Sequence, residues 1–182
     1  MIIAGVDPGS RTTGYGIIKV EGNRFQCLDY GAITPSGKGQ SFGLKERLDL
    51  IFTTLSDLFT DFQPDCLAVE EVFYAKNARS ALMLGHVRGV ILLAAARAGV
   101  ELTEFSPLEV KKAVTGYGRA DKAQVQVMVQ RLLNLKEVPR PHDASDALAL
   151  SLCCAFGGAR SGTRGKRWKE ADLKRILGRE NC

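Results

Sequence analysis

The chain opens on an apolar run, Ile2-Ile3-Ala4-Gly5-Val6, that stops at Asp7 and turns at Pro8-Gly9. Short apolar runs bounded by turn residues read as buried strands. Residues 14–20 and 24–30 repeat the pattern, with the turn Glu21-Gly22-Asn23 between them. Such close spacing predicts consecutive antiparallel hairpins. Beyond the Gly-rich stretch 35–40 the period changes. Leu44, Leu48, Ile51, Leu55, Leu58 and Phe62 recur at steps of four and three, the apolar stripe of a helix that Gln63-Pro64 ends. Cys66–Glu70 is a short strand that again finishes on a carboxylate. Residues 77–98 predict a long Ala/Leu/Gly-rich helix stopped by Gly99, and 100–105 a further strand. Ser106-Pro107-Leu108-Glu109 is a capping box with proline at the first helical position. Gly116–Gly118 breaks that helix. Residues 121–133 predict the next, with Val125, Met128, Val129 and Leu132 inward. Pro139-Arg140-Pro141 imposes an extended entry to a last helix, 143–156, apolar nearly all round and therefore buried. Three leading strands followed by alternating helices and strands specify an α/β fold, a mixed five-stranded sheet with helices on both faces.

At 182 residues the chain is long enough for one domain with a full core. Hydrophobic residues make up 45% and charged residues 25%, ordinary for a globular protein. No basic-then-apolar leader is seen, and no apolar run is read as reaching the length of a membrane span, so no membrane partner is expected. The five cysteines form no C-x-x-C pair and read as reduced cytosolic thiols. With His86 and His142 the only histidines, a zinc site is not expected. The +5 charge is uneven: residues 1–156 balance, and 157–182 carry the whole excess. The expected organisation is thus a folded domain over 1–156 and a basic tail over 157–182. Such a tail suits a polyanion partner, or is simply solvated.

Chemistry enters through the carboxylates at element ends. Asp7 and Glu70 each end a strand, and Asp143 and Asp146, three apart, share one helix face near its first turn. Taken singly, each has an ordinary explanation: Asp7 as a turn residue, Asp143 or Asp146 as a helix N-terminal charge, Glu70-Glu71 as a solvated strand exit. Together they suggest convergence beyond the strand ends, where open sheets gather functional groups. Four clustered carboxylates repel unless neutralised, and hard divalent cations with oxygen ligands do this, Mg²⁺ first. A pair of such ions suits phosphodiester hydrolysis. Glu70 and Glu71 point to opposite faces, and the pattern leaves open which one is the ligand.

Asp7-Pro8-Gly9-Ser10-Arg11-Thr12-Thr13-Gly14-Tyr15-Gly16, Val69-Glu70-Glu71-Val72-Phe73-Tyr74-Ala75-Lys76-Asn77, Ser106-Pro107-Leu108-Glu109-Val110-Lys111 and Asp143-Ala144-Ser145-Asp146-Ala147-Leu148-Ala149 resemble, in order, the RuvC family of bacterial Holliday-junction resolvases. The resemblance covers about residues 1–156 and not the tail. It implies an RNase H-like fold and a homodimer that nicks two opposed strands of a four-way junction. It also implies a preference for cutting within a short T-rich sequence and receipt of the junction from the RuvA–RuvB branch-migration machinery. It assigns metal binding to Asp7, Glu70, Asp143 and Asp146, choosing Glu70 over Glu71, with two Mg²⁺ per site and Mn²⁺ as a substitute. Some members carry His where this chain has Asp143; His142 lies one place early and is left out.

The resemblance also points to Phe73 as a residue that stacks on an unpaired base, in polar and basic surroundings with Lys76, Asn77 and Arg79. Tyr74 is an alternative to Phe73, and a core role is the ordinary reading of either. Lys111 and Lys122 match basic positions near the scissile phosphate, Lys122 at a helix N-terminus that itself favours phosphate. Lys112 competes with Lys111, and solvated helix faces would explain all three. Gly85 and Gly89, with Ala81, Leu82 and His86, form a candidate dimer seam or pack on the sheet. Three rivals stand beside this reading. One is an actin- or sugar-kinase-like ATPase, disfavoured because the chain is read as lacking a second D-x-G loop and the length for a second domain. The others are a non-catalytic junction-binding module and an RNase H-like nuclease acting on another structured nucleic acid.

Overall fold

The computed structural model describes residues 1–9, 11–34, 43–71 and 78–157. Strands β1 (Ile2–Asp7), β2 (Thr13–Glu21) and β3 (Arg24–Ile33) precede helix α1 (Leu44–Phe62). Strand β4 (Cys66–Glu70), helix α2 (Ala78–Ala98) and strand β5 (Glu101–Phe105) follow. Helices α3 (Pro107–Thr115), α4 (Lys122–Leu132) and α5 (His142–Gly157) complete the described fold. The five strands form one sheet in the order β3-β2-β1-β4-β5. β1 is antiparallel to β2, and β2 to β3, as the short turns require. β1–β4 and β4–β5 are parallel, as helical crossovers require. Both hairpin strands run further than the pattern predicts, β3 to Ile33, because cross-strand pairing continues through Tyr15↔Gly31 and Thr13↔Ile33.

The side-chain alternation of the strands divides the core in two. Ala4, Val6, Ile17, Leu67 and Val69 pack against α1 and α2. Ile3, Ile18 and Ala68 pack against α3, α4 and α5. Each fully buried aliphatic side chain contributes roughly 1.5–3 kcal/mol, so neither layer is dispensable. α1 is rotated slightly from the predicted stripe. Leu44 is 41% exposed, while Phe59 and Arg47 are buried. The inward turn of Arg47 has a polar cause, because its Nη2 donates to the Gly9 carbonyl at 2.9 Å.

α5 is the central helix, with nine of its residues buried, Ala144, Ser145 and Ala147 through Cys153. It lies close on the sheet because the strands beneath it are glycine-rich. A Cβ on Gly5 would collide with the Ala147 carbonyl, and one on Gly14 with the Asp143 carbonyl. Gly16 pairs with Gly5 across the ladder, and its own Cβ would strike Leu148. Ser151 Oγ bridges the remaining gap, donating to Gly16 O at 2.9 Å.

The helix starts of α3 and α4 carry side-chain caps. Ser106 and Glu109 form the reciprocal box at α3, and Gly116 closes that helix in the left-handed region at φ 76°. Asp121 and Gln124 form a second box at α4, which was legible as D-x-x-Q and was missed. One expectation needs correction. α2, at 21 residues, is long and apolar enough to cross a membrane by length and composition. Its arginines hid this from a search for an unbroken run. Val87, Ile91, Ala94 and Ala95 nonetheless face the α1 layer as core.

Candidate active site

β1 and β4 are adjacent and parallel, with Val6 opposite Val69. Asp7 and Glu70, one residue on, therefore leave the sheet side by side at its carboxyl edge. Their shared face follows from the pleat. Gly5 abuts α5, so Asp7, two residues later, is directed to the same side. Ala68 lies in the α5-side core, so Glu70 follows it. Glu71 alternates away, and its N–H is held by the Phe105 carbonyl at 2.9 Å. The register thus supplies a geometric distinction between the two glutamates that the linear pattern left open.

α5 begins at the same edge, seated on Gly14, the cross-strand partner of Asp7. Its first turns carry Asp143 and Asp146, both partly buried. The four carboxylates are electrostatically one group. Burial, then the charges of Glu70, Asp146 and Asp143, push Asp7 up to about 7, while Lys122 opposes the rise. Burial and Asp146 raise Glu70, against the pull of Lys122 and Lys111.

Lys122, at the first helical position after the Asp121 cap, places Nζ 2.6 Å from Asp146 Oδ2. Burial alone would lower its pKa. The hydrogen bond to Asp146 and the charges of Asp146, Asp7 and Asp143 raise it instead. Lys111 is partly buried on α3, and its charge is felt at Glu70; Lys112 is exposed. His142 is engaged elsewhere, with Nδ1 2.6 Å from Gln126 Nε2 of α4.

Among the described residues, no three His, Cys, Asp or Glu side chains are drawn together closely enough to hold a metal ion. The donor chemistry nevertheless fits a hard divalent cation. Every candidate ligand is a carboxylate, and their repulsion, visible in Asp7, is what such a cation relieves. Of the residues expected to touch DNA, Arg79 is exposed in the first turn of α2. Phe73, Lys76 and Asn77, and Tyr74 with them, lie outside the described residues, as does the tail patch at 168–177. On the other side of the strand edge, Arg88 of α2 donates from Nη1 to the Glu70 carbonyl at 3.2 Å and pairs through Nη2 with Glu104 of β5. Sequence reasoning gave no sign of this contact.

The ATPase rival was disfavoured partly because the chain was read as lacking a second D-x-G, but it has one, Asp29-Tyr30-Gly31. It lies inside β3, with Asp29 Oδ1 accepting the Tyr30 N–H at 2.8 Å and Oδ2 accepting the Tyr15 hydroxyl at 3.3 Å. It is strand, not a phosphate loop.

Residues 3–154 match the family model described as crossover junction endodeoxyribonuclease RuvC. A protein of that name from Alkaliphilus oremlandii is 51% identical over 158 residues, covering 87% of this chain and 94% of the relative. Another from Rubrobacter xylanophilus is 48% identical, covering 90% of each. Among solved structures, T. thermophilus RuvC in complex with Holliday junction substrate superposes with a TM-score of 0.80 at 35% identity, covering 86% of this chain and 94% of that one. The yeast mitochondrial Holliday junction resolvase shares the fold, with a TM-score of 0.62 at 15% identity, covering 85% of this chain and 77% of that one.

Proposed function

The chain belongs to the RuvC family of crossover junction endodeoxyribonucleases, and from that premise we propose that its carboxylate edge is the catalytic centre. The protein is a nuclease with an RNase H-like fold that binds Holliday junction DNA and resolves it, in recombination and repair. The observation that supports the site is the coupling of Asp7 to Glu70, Asp146 and Asp143 at one end of the sheet.

Asp7, Glu70, Asp143 and Asp146 would hold two divalent cations, Mg²⁺ in the first place and Mn²⁺ as a substitute. When bound, these supply an activated water and offset charge on the departing 3′-oxygen. Asp7, coupled to Glu70 and to both carboxylates of α5, would be a central member of that ligand set. Lys122 and Lys111 bring compact positive charge to the phosphate, where developing negative charge needs it. Lys122 neutralises Asp146 until then. The products are a 5′-phosphate and a 3′-hydroxyl, which form a ligatable nick.

Phe73 stacks on a base at the junction centre, and Lys76, Asn77 and Arg79 follow the adjoining backbone. Residues 1–156 form the nuclease domain, and the basic tail 157–182 adds non-specific attraction to phosphate. The enzyme works in the cytoplasm as a homodimer, receives the junction from the RuvA–RuvB complex, and cuts two opposed strands symmetrically within a short T-rich sequence. The exposed face of α2 supports the dimer. Gly85 and Gly89 have open space where a Cβ would stand, and Leu82 is 67% exposed beside them. A two-fold substrate is served by such a self-complementary face.

The test is incubation with a synthetic four-way junction, with Mg²⁺ and with EDTA. Paired nicks at symmetric positions, re-sealed by ligase, are expected only with Mg²⁺. Cleavage of one strand only, or of linear duplex equally well, would overturn the reading.

A further inference from the structure

Two strand ends carry Asp7 and Glu70, and each is grasped from the side of the sheet away from α5. Arg47 of α1 is buried and donates from Nη2 to the Gly9 carbonyl, two residues beyond Asp7. Arg88 of α2 donates to the carbonyl of Glu70 itself. The second arm of Arg88 is held by Glu104, which stands opposite Val69 on the neighbouring strand. These contacts leave the Asp7 and Glu70 carboxylates untouched on the α5 side. Arg88 acts on the peptide plane that flanks Glu70, and Arg47 on the turn two residues beyond Asp7.

We propose that Arg47 and Arg88 are positioning residues for the carboxylate centre: from the α1/α2 layer they clamp the Gly9 and Glu70 carbonyls and so restrain the backbone from which Asp7 and Glu70 reach the site. The proposal rests on the functional reading above. Carboxylates that repel one another drift apart unless their backbones are restrained, and burial raises the cost of each charge further. A planar guanidinium with several fixed donors restrains two acceptors at once, which a lysine does not. Among the described residues, Arg47 and Arg88 place guanidinium–carbonyl contacts at, or just beyond, the two strand ends that bear carboxylates. Arg88 also connects Glu70 to the helix whose outer face is the proposed dimer seam.

Loss of a group that orients a metal ligand costs about 10–100-fold in metal affinity or activity. Arg88→Met and Arg47→Met are therefore expected to raise the half-saturating Mg²⁺ for junction cleavage about ten-fold or more. The same variants should weaken Mn²⁺ binding measured by calorimetry on the full-length protein without DNA. Junction affinity in EDTA should stay within about two-fold of wild type, because the clamps touch no DNA. Arg88→Lys and Arg47→Lys, which keep the charge and rotatable donors but lose the planar fork, should recover part of the metal affinity and guard against a Met variant that fails to fold. Glu104→Gln separates the clamp from a plain ion pair, since it leaves the bond from Arg88 to Glu70 in place. It should sit much closer to wild type than Arg88→Met does. Arg88 and Arg47 variants with wild-type Mn²⁺ affinity and Mg²⁺ titration would overturn the proposal, as would Glu104→Gln matching Arg88→Met. If the wild-type protein itself binds no Mn²⁺ and cuts no junction, the functional reading fails instead.

Discussion

Lys122 Nζ lies 2.6 Å from Asp146 Oδ2, an ion pair between the first turn of α4 and the first turns of α5. On the proposed assignment of Asp146 to the metal site, a bound cation would compete for this oxygen and free Lys122 for the phosphate. Lys122→Ala is expected to cut the single-turnover cleavage rate by about 10²-fold, as removal of one charge-stabilising donor does. Junction binding should weaken far less, with the salt slope falling by about one. Gel-shift and cleavage assays across a salt series distinguish the two.

The glycine floor beneath α5 makes a steric prediction. A methyl on Gly14 meets the Asp143 carbonyl, and one on Gly5 meets that of Ala147. Both obstacles are backbone, so the helix itself has to shift. Gly14→Ala is expected to cost about 1–3 kcal/mol in urea unfolding. It should also depress cleavage beyond what the stability loss explains, because Asp143 moves with the helix. Ordinary activity in a folded Gly14→Ala variant would show that α5 need not lie so close.

Asp7 sets a pH dependence whose sign is opposite to that of a salt-bridged carboxylate. Its folded-state pKa, about 7, lies above the ordinary 3.8. Between those values the folded protein holds a proton that the unfolded chain has released, so metal-free stability falls as pH rises through that window. Thermal melts in EDTA should show this decline, and Asp7→Asn should flatten it. Mg²⁺, by favouring the ionised form, should raise Tm more at pH 8 than at pH 5. A Mg²⁺ shift equal at both values would argue against binding at Asp7.

The open face of α2 predicts assembly. Leu82→Glu puts a charge on a strongly exposed apolar position without touching the buried line Val87, Ile91, Ala94 and Ala95. Sedimentation should give a dimer for the wild-type chain and a monomer for the variant. The variant should nick junctions one strand at a time. A dimer that persists in Leu82→Glu would move the seam elsewhere.

Much of this was written in local sequence signals. Apolar runs ending in Asp7 and Glu70 announced strand ends, and the stripe from Leu48 to Phe62 announced α1. The i,i+3 spacing of Asp143 and Asp146 announced a shared face. Long-range facts were not legible in the same way. The choice of Glu70 over Glu71 needs the register with β1 and the knowledge that Ala68 faces α5. Gly5, Gly14 and Gly16 become a single feature only once β1 and β2 are paired. Nothing local marks Arg47, because its partner, the Gly9 carbonyl, lies 38 residues away in sequence.

Asp7→Asn tests the central claim most directly. The change keeps shape and removes the charge at the residue coupled to all three other carboxylates. On a synthetic four-way junction in Mg²⁺, the variant is expected to bind as the wild-type protein does and leave every strand intact, while the wild type yields paired, ligatable nicks. Resolution of the junction by Asp7→Asn at a rate near that of wild type would contradict the assignment of the catalytic centre.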